Sequence, residues 1–310
     1  MKKNSQRNAD TLQAISRWNE LVSAIRTFFK EEDFQEVKTP IIVPAPIPEP
    51  HIDAIPAGKG YLRTSPEAEM KIMLAEGAER IFQIGPCFRA GETGRLHSEE
   101  FTMLEWYQTG ADGMDLIPFM KKMLLKTTEA IHGTETEKIL FQDHYIDFAA
   151  EWRVLSVEEA FAEFADISLE TALDKNIFDE TMLERIEPNL PKSEPVVLTG
   201  FPATQATLAK TDAEGKTALR WELYLGGVEI ANTYTELTSP EEHSARLKAA
   251  NNQRTDNGKL PYTRHGEFLA AVEKGIPESA GSALGLDRLM MVMANANSIA
   301  EIAFPVIQTM

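Results

Sequence analysis

Residues 88–107 read FRAGETGRLHSEEFTMLEWY, and this stretch constrains the fold more than any other. Residues 81–89 lead into it as one strand and residues 101–107 leave it as another, so a glycine-containing loop joins two neighbouring arms of a sheet. In the second arm Phe101, Met103, Glu105 and Tyr107 share one face, and Thr102, Leu104 and Trp106 share the other. The second of these faces is packing. The first sets a ring, a carboxylate and a phenol in a row beside a loop carrying Arg89, Arg95 and His97. Guanidinium forks match phosphate and carboxylate oxygens, and Gly91 and Gly94 let the backbone approach a ligand. A nucleotide meets all of these demands; a surface hairpin with its arginines paired to Glu92, Glu99 and Glu100 is the plainer alternative.

The cationic cluster stands out because the chain carries 48 acidic against 31 basic residues, a formal net charge of -17. That balance argues against broad binding to a phosphate backbone, and any nucleic-acid contact has to be local. With 310 residues, 43% of them hydrophobic, the chain can bury a sizeable core. Nothing approaches about eighteen consecutive apolar residues, and no apolar stretch follows the charged N-terminus, so a soluble, cytoplasmic protein without membrane association is expected. Cys87 is the one cysteine, which rules out an internal disulfide and a multi-thiolate metal site; it reads as a packed strand residue.

Along the chain, apolar residues at near-helical spacing predict a long amphipathic helix over 10–30, then a short edge strand that stops at Pro40. The stretch IIVPAPIPEPHIDAIP is too rich in proline for regular structure. LRTSPE is a loop before a helix through Met70 and Leu74, with Thr64 or Ser65 as cap and Pro66 in its first turn. The middle, 112–190, predicts helices at 119–131 and 156–165. A strand follows at PVVLTGFPA, a hairpin turns at Gly226-Gly227, a helix covers 240–255, and the glycine-spaced strand at Gly281 runs into a helix. Strands scattered among helices, with hairpins, predict an α+β fold: an antiparallel sheet flanked by helices, in one domain over 1–310.

Two further segments ask for the same ligand. With Gly226-Gly227 as the turn, Tyr224 faces Glu229 and Glu222 lies diagonally, about 7–8 Å from Glu229, on one face. Two such carboxylates suit Mg²⁺, which takes one or two carboxylates plus substrate phosphates; an ordinary hairpin with exposed acids is the alternative. Simple alternation puts Asn232, Tyr234 and Glu236 on the opposite face from Glu229, so a bulge or a strand end is needed to gather them. In GSALGLDR, small residues permit close approach of a flat ligand, and Arg288 adds a fixed cation at a helix start.

Taken in order, the helix and strand to Pro40, the FR-loop-EFTMLEWY unit and the glycine strand ending in Asp287-Arg288 resemble the three signature motifs of class II aminoacyl-tRNA synthetases. The resemblance covers nearly the whole chain. It is closest to the lysyl-tRNA synthetase branch, through TSPE, HSEEFTMLEWY, GGVEIANTYTEL and GSALGLDRL. Those synthetases carry an anticodon-binding barrel before this core, and here the core begins within the first dozen residues. FPATQATLA at 201–209 and the TMLEWY ending are more similar to a shorter family of that branch, the elongation factor P lysine ligases. Members of that family activate a lysine, preferentially the (R)-β isomer, with ATP and transfer it to a lysine side chain of elongation factor P.

The resemblance implies roles for particular residues. Arg89 bridges the substrate carboxylate and the α-phosphate, Phe101 stacks on adenine, and Arg288 covers its other side beside Gly285. His97 and Arg95 meet the outer phosphates, while Glu222 and Glu229 hold Mg²⁺. Ser65 and Glu67 meet the amine near the reacting carboxyl group; Glu105, Tyr107, Asn232, Tyr234 and Glu236 line the pocket for the far ammonium. The first motif implies a homodimer. Two positions depart from the synthetases: Gly91 followed by Glu92 replaces the adenine-reading acid, for which Glu92 is the substitute, and Ala283 replaces a glycine. The extra methyl of Ala283 is expected to shift preference from an α-amino to a β-amino acid. A base for the acceptor amine is not evident; His51 is a candidate against the plainer reading of a surface histidine. Two rival functions are a noncatalytic amino-acid or partner-binding module, which would typically lack the motif arginines that Arg89 and Arg288 supply, and a tRNA ligase recognising only the acceptor stem, against which the acidic balance weighs.

Overall fold

The structure, a computed structural model, describes residues 2–133 and 137–302. Its centre is a sheet of eight strands: β1 Gln35–Glu36, β2 Arg80–Phe88, β3 Glu100–Thr109, β4 Arg153–Ser156, β5 Val196–Thr199, β6 Arg220–Leu225, β7 Val228–Thr235 and β8 Ser279–Gly285. They lie in the order β1-β2-β3-β8-β7-β6-β5-β4. Every inner pair is antiparallel, and only the outermost pairs, β1 with β2 and β4 with β5, run parallel. The expected α+β fold with an antiparallel sheet and flanking helices is the fold observed.

One face of the sheet is dry. The first helix, Lys2–Glu31, lies over it with the Leu116–His132 and Leu286–Met293 helices. Phe29 stacks on Phe82 at 4.5 Å between ring centroids and meets Trp106 edge-on at 5.5 Å, so the face of β3 carrying Leu104 and Trp106 is the packing face. Burial of side chains of this size contributes about 1.5–3 kcal/mol each, which fixes the strand's register and turns Phe101, Met103, Glu105 and Tyr107 the other way. Cys87 is fully buried in β2, and burial pushes its thiol up to about 12, as befits a packing residue.

Three local readings change. The proline-rich stretch is not wholly irregular: Ile42–Val43 and Pro56–Ala57 flank Gly60–Leu62 in a small antiparallel sheet, short enough for prolines to fall at its ends. The middle segment is not only helical, because Lys138–Phe141 and His144–Asp147 form a hairpin whose Phe141 and Ile146 join the main core. The helix after TSPE starts at Glu67, so Pro66 stands at its cap position and not in its first turn, and the Ser65 hydroxyl accepts the Glu67 amide at 3.0 Å.

The turn at Gly226-Gly227 is present, with both residues at positive φ, and a β-bulge follows it. Tyr224 pairs with Glu229 but Leu223 pairs with Ala231, leaving Ile230 without an opposite number. The extra residue reverses the alternation along β7. Glu229 therefore shares a face with Asn232 and Tyr234, which alternation alone would have denied.

Candidate active site

The wet face of β3, β8 and β7 floors a cleft enclosing about 1120 Å³, its open mouth included. Register builds that floor in rows. Glu105, Ala283, Asn232 and Glu222 lie side by side across four strands, and Tyr107, Gly281, Tyr234 and Arg220 form the next row. A Cβ at Gly281 would stand 2.3 Å from the Tyr107 ring and 2.5 Å from Glu236, so only glycine fits between them.

Most of the residues expected at the site are gathered here. Ser65, Glu67, Arg89, Glu92, His97, Phe101, Glu105, Tyr107, Glu229, Asn232, Tyr234, Glu236, Ala283, Gly285 and Arg288 all line the cleft. Arg95 and Glu222 do not. Arg95 is exposed on the loop and donates to the Asn297 carbonyl at 3.3 Å. Glu222 is paired with Arg220 and accepts from the Tyr224 hydroxyl at 2.8 Å. His51 lies outside as well, its side chain 74% exposed and 3.8 Å from Asp179, which suits the plainer reading of it.

At one end of the cleft the cations are held in place. Arg288 donates to the Glu229 carboxylate at 2.9 Å, to the Glu229 carbonyl at 3.0 Å, to the Leu96 carbonyl at 3.2 Å and to His97 Nε2 at 2.7 Å. Since a guanidinium only donates, His97 accepts at Nε2 and is neutral; burial first, and Arg288 second, hold its imidazole below the ordinary value. Arg89 lies over the Phe101 ring at 5.1 Å and 3.9 Å from Glu92, and its Nε is buried without a partner among the described residues. Glu229 is on the wall with Glu222 close behind, hard oxygen donors whose proximity raises the Glu222 carboxyl after burial has done so.

At the other end the site is acidic. Ser65 donates to one Glu105 oxygen at 2.8 Å and Tyr107 to the other at 2.7 Å. Burial, then the charge of Glu67, raises the Glu105 carboxyl to about 8. Asn232 uses its amide nitrogen on the Tyr234 hydroxyl at 3.3 Å, and its Oδ1 is buried with no partner among the described residues. A residue that sequence reading passed over completes this end: Lys71, fully buried, lies 2.6 Å from Glu67 and 2.5 Å from Glu236. Its signal was faint but present, a lysine four residues after Glu67 on a helix whose neighbours Met70 and Leu74 are core.

The cleft thus sets donors suited to phosphate at one end and acceptors suited to an ammonium at the other, and the chain that builds it has known relatives. The family model described as tRNA synthetases class II (D, K and N) matches residues 4–308. A curated Vibrio cholerae protein named elongation factor P--(R)-beta-lysine ligase is 36% identical over 301 residues, 92% of this chain and 93% of its own length. Proteins of the same name from Proteus mirabilis and Buchnera aphidicola are 35% and 32% identical, covering 92% and 99% of this chain and 93% and 99% of their own lengths. The chain belongs to the class II tRNA synthetase family and, within it, to the group of elongation factor P--(R)-beta-lysine ligases.

Proposed function

We propose that this protein activates a lysine with ATP as an acyl-adenylate, (R)-β-lysine in preference, and transfers it to a lysine side chain of elongation factor P. The names of its relatives support the substrate and the acceptor. One observation carries the reading for this chain. Arg89 Nε and Asn232 Oδ1 are buried polar atoms without partners on opposite parts of one cleft. Such an atom costs about 1–3 kcal/mol until something satisfies it. A ligand with a carboxylate and phosphate at one end and an ammonium at the other does both.

Arg89 would hold the substrate carboxylate against the α-phosphate and neutralise charge as the carboxylate oxygen attacks in line and pyrophosphate departs. Phe101 and Arg288 would enclose the adenine, with Gly285 allowing close approach. Neutral His97, its Nε2 occupied by Arg288, is free to donate to an outer phosphate from its other nitrogen. Glu229 on the cleft wall and Glu222 behind it would hold Mg²⁺ once Arg288 and Arg220 yield their carboxylates, and the metal would offset phosphate charge. Glu67 and Ser65 would meet the near amine, and Glu105, Tyr107, Asn232, Tyr234 and Glu236 the far ammonium. Arg95, outside the cleft, would add long-range attraction only.

The chain would act as a single catalytic unit in the cytoplasm and as a homodimer, with tRNA not its acceptor. The exposed Leu12, Ile15 and Ile42, on the first helix and the segment after Pro40, support self-association. Intact-mass spectrometry of elongation factor P after incubation with this protein, Mg-ATP and (R)-β-lysine tests the reading. A gain of one lysyl residue, lost with Arg89→Ala, is expected; no gain from the unaltered protein overturns it.

A further inference from the structure

Amide formation on a lysine side chain needs an unprotonated amine, and the acceptor arrives as an ammonium. Resting on the function just proposed, we infer that Glu49 is the base that takes this proton. Glu49 lies in the proline-rich loop and lines the cleft together with Arg89 and Glu67, the residues proposed above to hold the reacting carboxyl group and the amine near it.

The other carboxylates of the cleft are committed. Glu67 and Glu236 share Lys71, Glu105 accepts from Ser65 and Tyr107, and Glu229 holds Arg288. Glu92 lies by Arg89, and Asp287 accepts the Thr102 amide at 2.6 Å. Among the described residues, Glu49 is the cleft carboxylate whose side chain has no hydrogen bond or ion pair.

Its backbone, in contrast, is fixed. Arg254, 1% exposed, donates to the carbonyls of Glu49 at 2.8 Å and Ile52 at 2.7 Å and to the Asp53 carboxylate at 2.8 Å. The Ala90 amide, next to Arg89, donates to the Asp53 carbonyl at 2.7 Å. A free carboxylate on an anchored loop is what proton transfer at a set place requires.

The charged groups facing it are Arg89, Glu67, Arg220 and Glu92, and burial outweighs the two arginines, lifting its carboxyl above the ordinary value. A lifted carboxyl is a stronger base. The step balances: the acceptor ammonium gives one proton to Glu49, the freed amine attacks the acyl carbon, and the carbon–oxygen bond to phosphate breaks with its electron pair leaving on AMP. The new amide nitrogen sheds its second proton to water.

Glu49→Gln and Glu49→Asp are to be compared with the unaltered protein in lysine-dependent pyrophosphate exchange, in transfer to purified elongation factor P, and in hydroxamate formation with hydroxylamine, an amine already unprotonated at neutral pH. The ratio of transfer to exchange is expected to fall about 100-fold or more in Glu49→Gln, with the ratio of hydroxamate to exchange unchanged and partial recovery in Glu49→Asp. Equal loss of exchange and transfer, or equal loss with both amines, overturns the role of Glu49. An unaltered protein without lysine-dependent exchange removes the parent function, and this inference with it.

Discussion

Glu105 is buried beneath the site with a carboxyl raised to about 8 from an ordinary 4.5. At pH 7 it therefore holds its proton in the ligand-free protein. The sign follows: its contribution to stability is complete below the ordinary carboxyl value and is lost as pH rises through about 8. An arriving ammonium favours the ionised form, so lysine binding at pH 7 should release a proton and should tighten up to about pH 8. Calorimetry in buffers of different ionisation heat measures the release; a binding heat independent of buffer would count against it. Sequence pattern alone placed Glu105 beside Tyr107, because alternation and one apolar face are local. It could not place Lys71, whose two partners come from its own helix and from the residue just past β7, 165 positions further on. Nor could it distinguish Glu49 from the other acids, since what marks Glu49 is a missing partner.

The strands supply what single residues cannot, a shared register. Ala283 of β8 stands between Glu105 of β3 and Asn232 of β7, so its methyl is a fixed feature of the floor between two polar groups. Ala283→Gly should raise the use of α-lysine relative to (R)-β-lysine, by about 10-fold if the methyl governs the choice; exchange assays with each isomer read the ratio, and an unchanged ratio removes the steric account. Hairpins and the cationic loop were legible because turn glycines and period-two patterns are written locally. The bulge at Ile230 was legible only as a requirement, because one strand does not state which of its residues lacks an opposite number. The short strands among the prolines were not legible at all; pairing with residues 60–62 outweighs a local composition that reads as loop.

Across the whole molecule, the acidic surface and the exposed apolar residues of the first motif point to different contacts. At a net charge of -17, like-charged copies repel over long range, so a dimer must rest on apolar contact that salt strengthens by screening. Sedimentation of the unaltered protein should show a dimer, more stable at higher salt, and Leu12→Glu with Ile15→Glu should shift it to monomer; a monomer at micromolar concentration would overturn the proposed assembly. Arg254 carries a different lesson at this scale. It holds Glu49, Ile52 and Asp53 of the proline-rich loop from more than 200 positions later in the chain, and Arg288 closes the cationic end from later still. During synthesis the N-terminal half can lay down β2 and β3 while the proline-rich loop beside the cleft has no anchor. A partly made chain thus presents the acids and the aromatic floor without the grip that nucleotide binding needs, and it acquires that grip only when the strand Ser279–Gly285 and the helix Leu286–Met293 have left the ribosome.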